Sequence, residues 1–236
     1  MKELNNIEFW ENHYLNQIEY TIIQDLEKMM NGLKSKDKIK DDWIKAFLST
    51  KNTKQQNSDF ARGAERIYFW LFNQLGIPNS SPIGSDMFFE TYNAFIHIDI
   101  KTAKLNNPSD YKGEVPVGAN QSSYFLPNKN YTVNLPTKYS YKDKLCLTYF
   151  IQIIYNEKNE KFNIKAIYLI SVPNGELNDI YKDKIYRASK NKGKGFRYKY
   201  SEMPKYELLK NKPFRIRRLY ISNSIKEKDI TTLSFK

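Results

Sequence analysis

Two aspartates and a lysine fall where the sequence predicts a β-hairpin. Residues 95–102 alternate between apolar and polar side chains, the period of a strand with one buried face, and Asp99 and Lys101 share its other face. A shorter apolar run precedes this strand. A hairpin whose turn is centred on residues 92–93 brings Asp86 opposite Asp99. We therefore expect two carboxylates and an ammonium group to converge at one end of a small sheet.

This set of side chains suits a hard divalent cation. Mg²⁺ prefers a few carboxylate oxygens and keeps several waters, which leaves room for a phosphate oxygen. A lysine beside the cation can orient or deprotonate a water, so the set predicts cleavage of a phosphodiester bond. Glu90 is the alternative first acid, but the same register places it opposite Phe95 and far from Asp99. An acid and a lysine two positions apart also occur on solvated strands, so the tripeptide alone is not specific.

Asp86 followed by Asp99-Ile100-Lys101 resembles the signature of the PD-(D/E)XK nuclease superfamily. Ser85 stands where the signature has proline, a position that varies in the superfamily. The strand that carries Asp99 is similar to the catalytic strand of type II restriction endonucleases. The resemblance implies an α/β (α+β) fold with a central mixed β-sheet flanked by helices.

The resemblance also implies an activity and its participants. In such an enzyme Asp86, Asp99 and the Ile100 carbonyl hold Mg²⁺, and Lys101 positions and activates the attacking water. The substrate is double-stranded DNA, cut at a specific sequence to leave 5′-phosphates. Such enzymes commonly act as homodimers, and a matching DNA methyltransferase protects the host's own sites.

A further acid is expected on a helix before the hairpin. Ser58 is a credible N-cap for a helix over residues 59–75, which Gly76 ends. In the family that this chain resembles, the corresponding helix often supplies an acid that supports the metal site. Glu65, at the edge of the apolar stripe, is the candidate. The alternative is a solvated glutamate paired with a neighbouring arginine, which contributes little.

Residues 103–125 are rich in Asn, Ser, Gly and Pro and follow the catalytic strand. Restriction endonucleases similar to this chain often place such a loop against the DNA. Asn and Gln can contact adenine in the major groove, and Ser and Tyr can hold phosphates. The predicted DNA contacts here are Lys104, Asn120, Gln121, Ser122, Ser123 and Tyr124. The alternative is an ordinary surface loop.

The basic residues are concentrated at one end of the chain. Residues 181–236 contain 17 Lys and Arg and 5 Asp and Glu, so they carry the whole net charge of +12. A segregated basic surface is typical of a protein that binds a polyanion. Lys194, Arg197 and Lys199 are predicted to track a phosphate backbone, and the arginines of residues 214–219 are predicted to lie along DNA on another strand. The alternative is a lysine-rich composition without a binding role.

The length of 236 residues and the 15% of aromatic residues are typical of one folded domain. Residues 145–155 and 162–172 are apolar runs that predict central strands of the same sheet. The chain is accordingly divided into a helical scaffold or dimerisation segment at 1–51, a catalytic core at 58–172 and a basic DNA-binding segment at 181–236.

Several classes of protein are disfavoured by composition. Two histidines and one cysteine, Cys146, cannot build a zinc site by themselves. No twenty-residue apolar span or signal peptide is evident, so we expect no membrane partner and a cytoplasmic location. Two other functions stay open at this point. One is a PD-(D/E)XK nuclease of repair or recombination that selects DNA structure, and the other is a DNA-binding module without catalytic activity.

Overall fold

The structure, a computed structural model, describes residues 2–33, 64, 86–118, 121–124, 135–140, 142–158, 161–188 and 195–233. Glu65, Asn120 and Lys194 lie outside these ranges, as does the predicted helix over 59–75 except for Ala64, which is helical and buried. The predictions for those three side chains therefore stay predictions.

Helices open the described chain, as the sequence predicts. The helices are α1 (Lys2–Gln24), α2 (Leu26–Gly32), α3 (Asn178–Tyr181) and α4 (Glu227–Ile230), and 3₁₀ turns cover Pro108–Asp110, Gly175–Leu177 and Lys182–Ile185. Leu15, Ile18 and Ile22 recur at helical spacing and are buried, so one stripe of α1 faces the core. None of the described helices is both long and apolar enough to span a membrane.

Two sheets form the body of the described chain. The strands are β1 (Met87–Glu90), β2 (Ala94–Lys104), β3 (Val115–Gly118), β4 (Lys138–Tyr139), β5 (Lys144–Lys158), β6 (Lys161–Val172), β7 (Tyr186–Ala188), β8 (Gly195–Tyr198) and β9 (Ile216–Ile221). In the main sheet β1, β2, β5, β6 and β9 lie side by side in that order, and β4 pairs with β5. A second sheet has the order β3-β8-β7. The two apolar runs predicted as central strands are β5 and β6.

The main sheet is mixed, because β2 and β5 run parallel while its other pairs run antiparallel. The predicted fold class, an α+β domain with a central mixed sheet, is therefore confirmed. The predicted hairpin register is confirmed as well: Met87 pairs with Ile98 and Glu90 pairs with Phe95. This register carries Asp86 to the position opposite Asp99.

Strand β2 is buried on both faces, which corrects the expectation of one buried face. Its isoleucines pack in a cluster with α1. Phe95, His97 and Asp99, which alternate with them, are only 2%, 0% and 1% exposed. The parallel neighbour β5 places the buried Phe150 beside Asp99, and a second apolar cluster that includes residues of both sheets covers this side. Strands with neighbours on both faces lose the exposed polar side that a strict alternation suggests.

Helix α1 also holds the turn of the β1–β2 hairpin. The Tyr14 hydroxyl lies 2.6 Å from Asn93 Oδ1 and 2.9 Å from Thr91 Oγ1. Thr91 N–H donates to the Ala94 carbonyl at 2.8 Å, which closes the turn. The position of β1 and β2, and hence of their two aspartates, is therefore tied to α1.

A buried ionic cluster joins α1 to Arg215, the residue that directly precedes β9. Arg215 is fully buried, and its Nη2 lies 2.7 Å from Glu11 Oε2 and 3.1 Å from Glu8 Oε1, both also buried. The Arg215 Nε donates to the Tyr181 hydroxyl at 2.7 Å. The expectation that the arginines of this region lie along DNA is therefore wrong for Arg215. Arg217 also contacts α1, through Glu19 at 3.1 Å.

Candidate active site

The two aspartates of the predicted metal site meet at the open end of the β1–β2 hairpin. Asp86 directly precedes β1, and its Oδ2 accepts the Ile100 N–H at 2.6 Å. The pairing of β1 with β2 ends at Met87 and Ile98, so Ile100 has no backbone partner in β1. The Asp86 side chain accepts its N–H instead. The sequence prediction that Asp86 and Asp99 lie opposite each other agrees with this geometry.

Asp99 is an almost fully buried carboxyl group with a neighbour at each oxygen. Its Oδ1 accepts a hydrogen bond from Gln121 Nε2 at 2.7 Å. Its Oδ2 contacts the ammonium group of Lys101, whose side chain is 22% exposed. Lys101 Nζ also lies 5.8 Å from the centre of the Phe150 ring, within the range of a cation–π contact. The lysine thus stands between a buried acid and the solvent.

Burial disfavours the charged form of both acids. Burial raises the pKa of Asp99 to about 7; the Lys101 ammonium opposes that rise, and the charge of Asp86 adds to it. Burial also raises the pKa of Asp86, against the lowering effect of the Ile100 N–H and of Lys101. Two carboxyl groups that repel each other in a buried place are stabilised as anions when a cation binds between them.

The donor set fits a divalent cation that keeps part of its water shell. Asp86, Asp99 and the Ile100 carbonyl are hard oxygen donors, as Mg²⁺ prefers. In the described part of the chain, no group of three or more His, Cys, Asp or Glu could hold a metal ion. A cation here would therefore take two carboxylates and a backbone oxygen from the protein and complete its shell with water or phosphate.

Gln121 makes a contact that the sequence did not indicate. The sequence prediction is a contact with DNA, but the structure places its amide between Asp99 and the end of β3, where Oε1 accepts the Gly118 N–H at 2.7 Å. Gln121 and Asp99 are 22 residues apart, and neither residue type nor spacing marks the pair. The only available signal was the position of a polar loop after the catalytic strand.

The neighbouring residues of the predicted DNA loop are buried. Ser122, Ser123 and Tyr124 are at most 1% exposed. The Tyr124 hydroxyl lies 2.9 Å from both Asn178 Oδ1 and the Lys182 carbonyl. In this conformation their hydroxyl groups face protein, which does not favour the predicted contact with phosphates.

Lys104, Arg197 and Lys199, three of the described basic residues predicted to bind DNA, differ in exposure. Arg197 is 6% exposed, and its guanidinium bonds Asp110 Oδ1 at 2.6 Å inside the fold. Lys199 is partly exposed, with Nζ 3.4 Å from Glu202 Oε1, and Lys104 is exposed, with Nζ 3.0 Å from Glu157 Oε2. The two lysines are open to solvent, whereas Arg197 supports the second sheet.

Two polar residues near the hairpin lie away from the pair of acids. Glu90, the alternative first acid, contacts Lys142 and Lys144 at the turn end of the hairpin. His97 packs against Phe88 and Tyr139, with ring centres 5.0 Å and 6.1 Å away. Burial lowers the pKa of His97 to about 3, so its ring is neutral near neutral pH.

Comparison with known families decides which proteins this chain is related to. Residues 3–159 match the family model of the N-terminal domain of the type II restriction enzyme MwoI, and residues 164–221 match the model of its central domain. The chain belongs to the MwoI family of type II restriction enzymes. The predicted recognition, a type II restriction endonuclease, is confirmed. The MwoI family assignment makes the protein a site-specific deoxyribonuclease, and the hairpin described above lies within the first matched domain.

Solved structures show the same fold at low sequence identity. The restriction endonuclease BglI bound to its DNA recognition sequence has a TM-score of 0.63 and 17% identity, covering 92% of this chain and 93% of that chain. The tetrameric restriction endonuclease SfiI bound to cognate DNA has a TM-score of 0.65 and 14% identity, covering 94% of this chain and 87% of that chain. No curated protein sequence matches this member of the MwoI family.

Proposed function

We propose that this restriction endonuclease hydrolyses phosphodiester bonds of double-stranded DNA in a Mg²⁺-dependent reaction and leaves 5′-phosphates. The observation that carries the proposal is the pair Asp86 and Asp99 at the end of one hairpin, with Lys101 in contact with Asp99. Membership of the MwoI family supports the reaction class. The DNA-bound state of the solved structures with this fold supports a duplex substrate.

Asp86, Asp99 and the Ile100 carbonyl would hold Mg²⁺. In a β-strand the N–H and C=O of one residue point to the same side. Because the Ile100 N–H points to Asp86 Oδ2, its carbonyl faces the same end of the hairpin. When bound, Mg²⁺ supplies positive charge that offsets the two acids and the scissile phosphate.

Lys101 would position the attacking water. Its ammonium group is held at Asp99 and is partly open to solvent, so it can hydrogen-bond a water at the edge of the site. The water oxygen forms a bond to phosphorus while the bond from phosphorus to the 3′ oxygen breaks. The water loses a proton, the 3′ oxygen gains one, and the phosphate stays on the 5′ end.

The wider setting is proposed on the same basis. Duplex cleavage needs two strands cut, so we propose a homodimer with one hairpin for each strand. A DNA methyltransferase of the same specificity would protect the host's sites, and both enzymes would act in the cytoplasm. Glu65 would support the metal site if its helix lies beside the hairpin.

The test is digestion of unmethylated phage DNA with Mg²⁺ or with EDTA, by the wild-type protein and by Asp99→Asn. We expect discrete fragments that need Mg²⁺ and a loss of rate of about 10²-fold or more in the variant. Asp99→Asn removes a buried charge without changing side-chain size, so it should fold and still shift DNA in a gel. Asp143→Asn is the matched control, because Asp143 is exposed and its positive φ of 49° also suits Asn.

The possible results separate the candidate functions. Sequence-defined fragments with 5′-phosphate ends support the proposal. Nicking only at branched or mismatched DNA would indicate a nuclease of repair type. Binding that survives EDTA, without cleavage under any metal, would leave a DNA-binding module. Wild-type cleavage rates in Asp99→Asn would remove Asp99 from the reaction.

A further inference from the structure

We infer that Gln121 is a positioning residue that fixes the orientation of the Asp99 carboxylate for metal binding, and that it does not read a DNA base. The inference rests on the proposed function, because it assigns a role within the same metal site. Gln121 touches neither substrate nor metal in this role and acts through Asp99.

Both ends of the Gln121 amide are used inside the protein. Its Nε2 donates to Asp99 Oδ1 at 2.7 Å, and its Oε1 accepts the Gly118 N–H at 2.7 Å. Its own backbone N–H donates to the Gly118 carbonyl at 3.2 Å, which closes a turn at the end of β3. A glutamine that reads adenine uses the same two amide atoms for one bidentate contact. In this arrangement those atoms are already engaged.

The amide is held tightly against the backbone of β3. A Cβ added at Gly118 would lie 3.0 Å from Gln121 Oε1 and 3.1 Å from its Cδ, closer than most contacts of that kind. The absence of a side chain at Gly118 therefore lets the glutamine come close enough to accept the N–H. Gly118 is itself paired with Gly195 in the second sheet, so the glutamine connects that sheet to the catalytic strand.

Two donors of different stiffness set the plane of the Asp99 carboxylate. Lys101 contacts Oδ2 through a long and partly exposed side chain. Gln121 contacts Oδ1 through an amide whose other end is fixed by Gly118. A hydrogen bond in a buried place is stronger than in water, so this contact orients the carboxylate before a metal arrives. Partners that orient metal ligands typically change metal affinity or activity by 10–100-fold when mutated.

The experiment compares two substitutions of Gln121, one that removes a single hydrogen bond of its amide and one that removes both. Gln121→Glu keeps an acceptor for the Gly118 N–H and loses the donor to Asp99. Gln121→Met has similar length and loses both contacts. Gln17→Met, at an exposed residue of α1, is the matched control for the substitution itself. Gly118→Ala is a further variant, since its Cβ displaces Gln121 without changing Gln121 or Asp99.

Two readouts are measured on the full chain: Mn²⁺ binding, from the electron paramagnetic resonance signal of free Mn²⁺, and the Mg²⁺ concentration that gives half the maximal cleavage rate. Mn²⁺ binding that is present in wild type and lost in Asp99→Asn is assigned to this site. We expect Gln121→Glu, Gln121→Met and Gly118→Ala each to weaken metal affinity, the first two by about 10- to 100-fold. Gln17→Met should behave as wild type, and thermal melting checks that each variant is folded.

Each other result counts against the inference. If Gln121→Glu binds Mn²⁺ and responds to Mg²⁺ as well as or better than wild type, while Gln121→Met is impaired, the residue only anchors the turn and the inference is overturned. Unchanged metal affinity in both variants overturns it too. A fall in melting temperature without a change in metal affinity indicates a purely structural residue.

Failure of the proposed function gives a different pattern. Wild-type protein that binds Mn²⁺ through Asp99 but cuts no DNA contradicts the proposed reaction, and the Mn²⁺ affinities of the Gln121 variants still decide the role of Gln121. Wild-type protein that cuts DNA with Mg²⁺ supports the reaction, and the Mg²⁺ dependence then decides. Wild-type protein that neither binds Mn²⁺ nor cuts DNA overturns both.

Discussion

Two buried titratable residues, His97 and Asp99, stand two positions apart on the same face of β2 and show how neighbours decide the effect of burial. Asp99 has Lys101 and Gln121 as partners, so it can be stabilised as an anion when a cation arrives. His97 lies among aromatic rings, with Tyr139 Oη 3.4 Å from its Nε2. Burial disfavours the charged form of the His97 ring and so favours the neutral imidazole. His97 is therefore a packing residue, whereas Asp99 is the buried residue with charged and polar partners.

The neutral His97 predicts a specific loss of stability in acid. Its folded-state pKa of about 3 lies below the usual 6.5, so between these values the unfolded chain binds a proton that the folded chain does not. This contribution is present above about pH 6.5 and is lost as pH falls, by up to about 1.4 kcal/mol per pH unit. We expect His97→Phe to remove it, so that its free energy of unfolding falls about 1.6 kcal/mol less than that of wild type between about pH 6.5 and pH 5.

Urea denaturation at the two pH values measures this difference. Tyr139→Phe is the control, because it alters the same aromatic cluster without removing a group that titrates near neutral pH. Equal losses in wild type and His97→Phe would show that His97 does not contribute to the pH dependence.

At the scale of elements, docking of α1 on the main sheet holds the β1–β2 hairpin in place. Its apolar stripe packs on the main sheet, and Tyr14 holds the turn of the hairpin. Its acids Glu8 and Glu11 are buried against Arg215, 207 residues away from Glu8. A buried ion pair contributes little net stability against an apolar replacement of both partners, but it is costly to break on one side. The cluster therefore makes the position of α1 depend on the region around β9.

Arg215→Met is predicted to destabilise the fold strongly. The substitution leaves two buried carboxylates without their cation, which costs about 3–5 kcal/mol. Arg218→Met is the matched control three residues away, since Arg218 pairs with Glu227 at the surface at 2.7 Å and should cost at most about 1 kcal/mol. The free energy of unfolding from urea or guanidinium titration distinguishes them. Similar losses in the two variants would contradict a special role of the buried cluster.

At the scale of the whole molecule, whose net charge is +12, the basic residues differ in whether the fold buries or exposes them. Arg197 and Arg215 are buried and bonded to acids of the protein, so they do not present charge to a polyanion. Lys104 and Lys199 are accessible. Pairing inside the protein leaves the net charge unchanged, but neither of these two arginines is available to contact DNA.

Binding of duplex DNA is predicted to weaken steeply with salt, because each neutralised phosphate releases counterions. We expect Lys199→Ala to reduce the slope of log affinity against log salt by about one. Lys212→Ala is the control, as Lys212 is an exposed lysine that, like Lys199, is paired with a glutamate, in its case Glu207 at 2.8 Å. Gel shifts in EDTA over a range of KCl concentrations measure both slopes. An unchanged slope in Lys199→Ala would place Lys199 away from the phosphates.

The amino-acid sequence by itself determined the local parts of the candidate active site. The alternation over residues 95–102 and the short turn before it specify the register of the hairpin, and the register brings Asp86 to Asp99. Hairpin pairing depends on residues close in the chain, so period and turn position are sufficient to predict it. The strands β5 and β6 were predictable because each is a long apolar run, which is also a local property of the sequence.

Only the tertiary structure decided which polar side chains are exposed and what they bind. Gln121, Arg197 and Arg215 are residue types that commonly contact DNA, and from the sequence they are as suitable for that role as for any other. The fold buries Arg197 and Arg215 and gives each of the three an acidic partner inside the protein: Asp99, Asp110 and Glu11. Such pairs join residues far apart in the chain, and a buried charge must be paired wherever the fold places it. Charge and polarity in the sequence therefore indicate a DNA-binding enzyme, while the packed structure distinguishes the groups that face the ligand from those that hold the site.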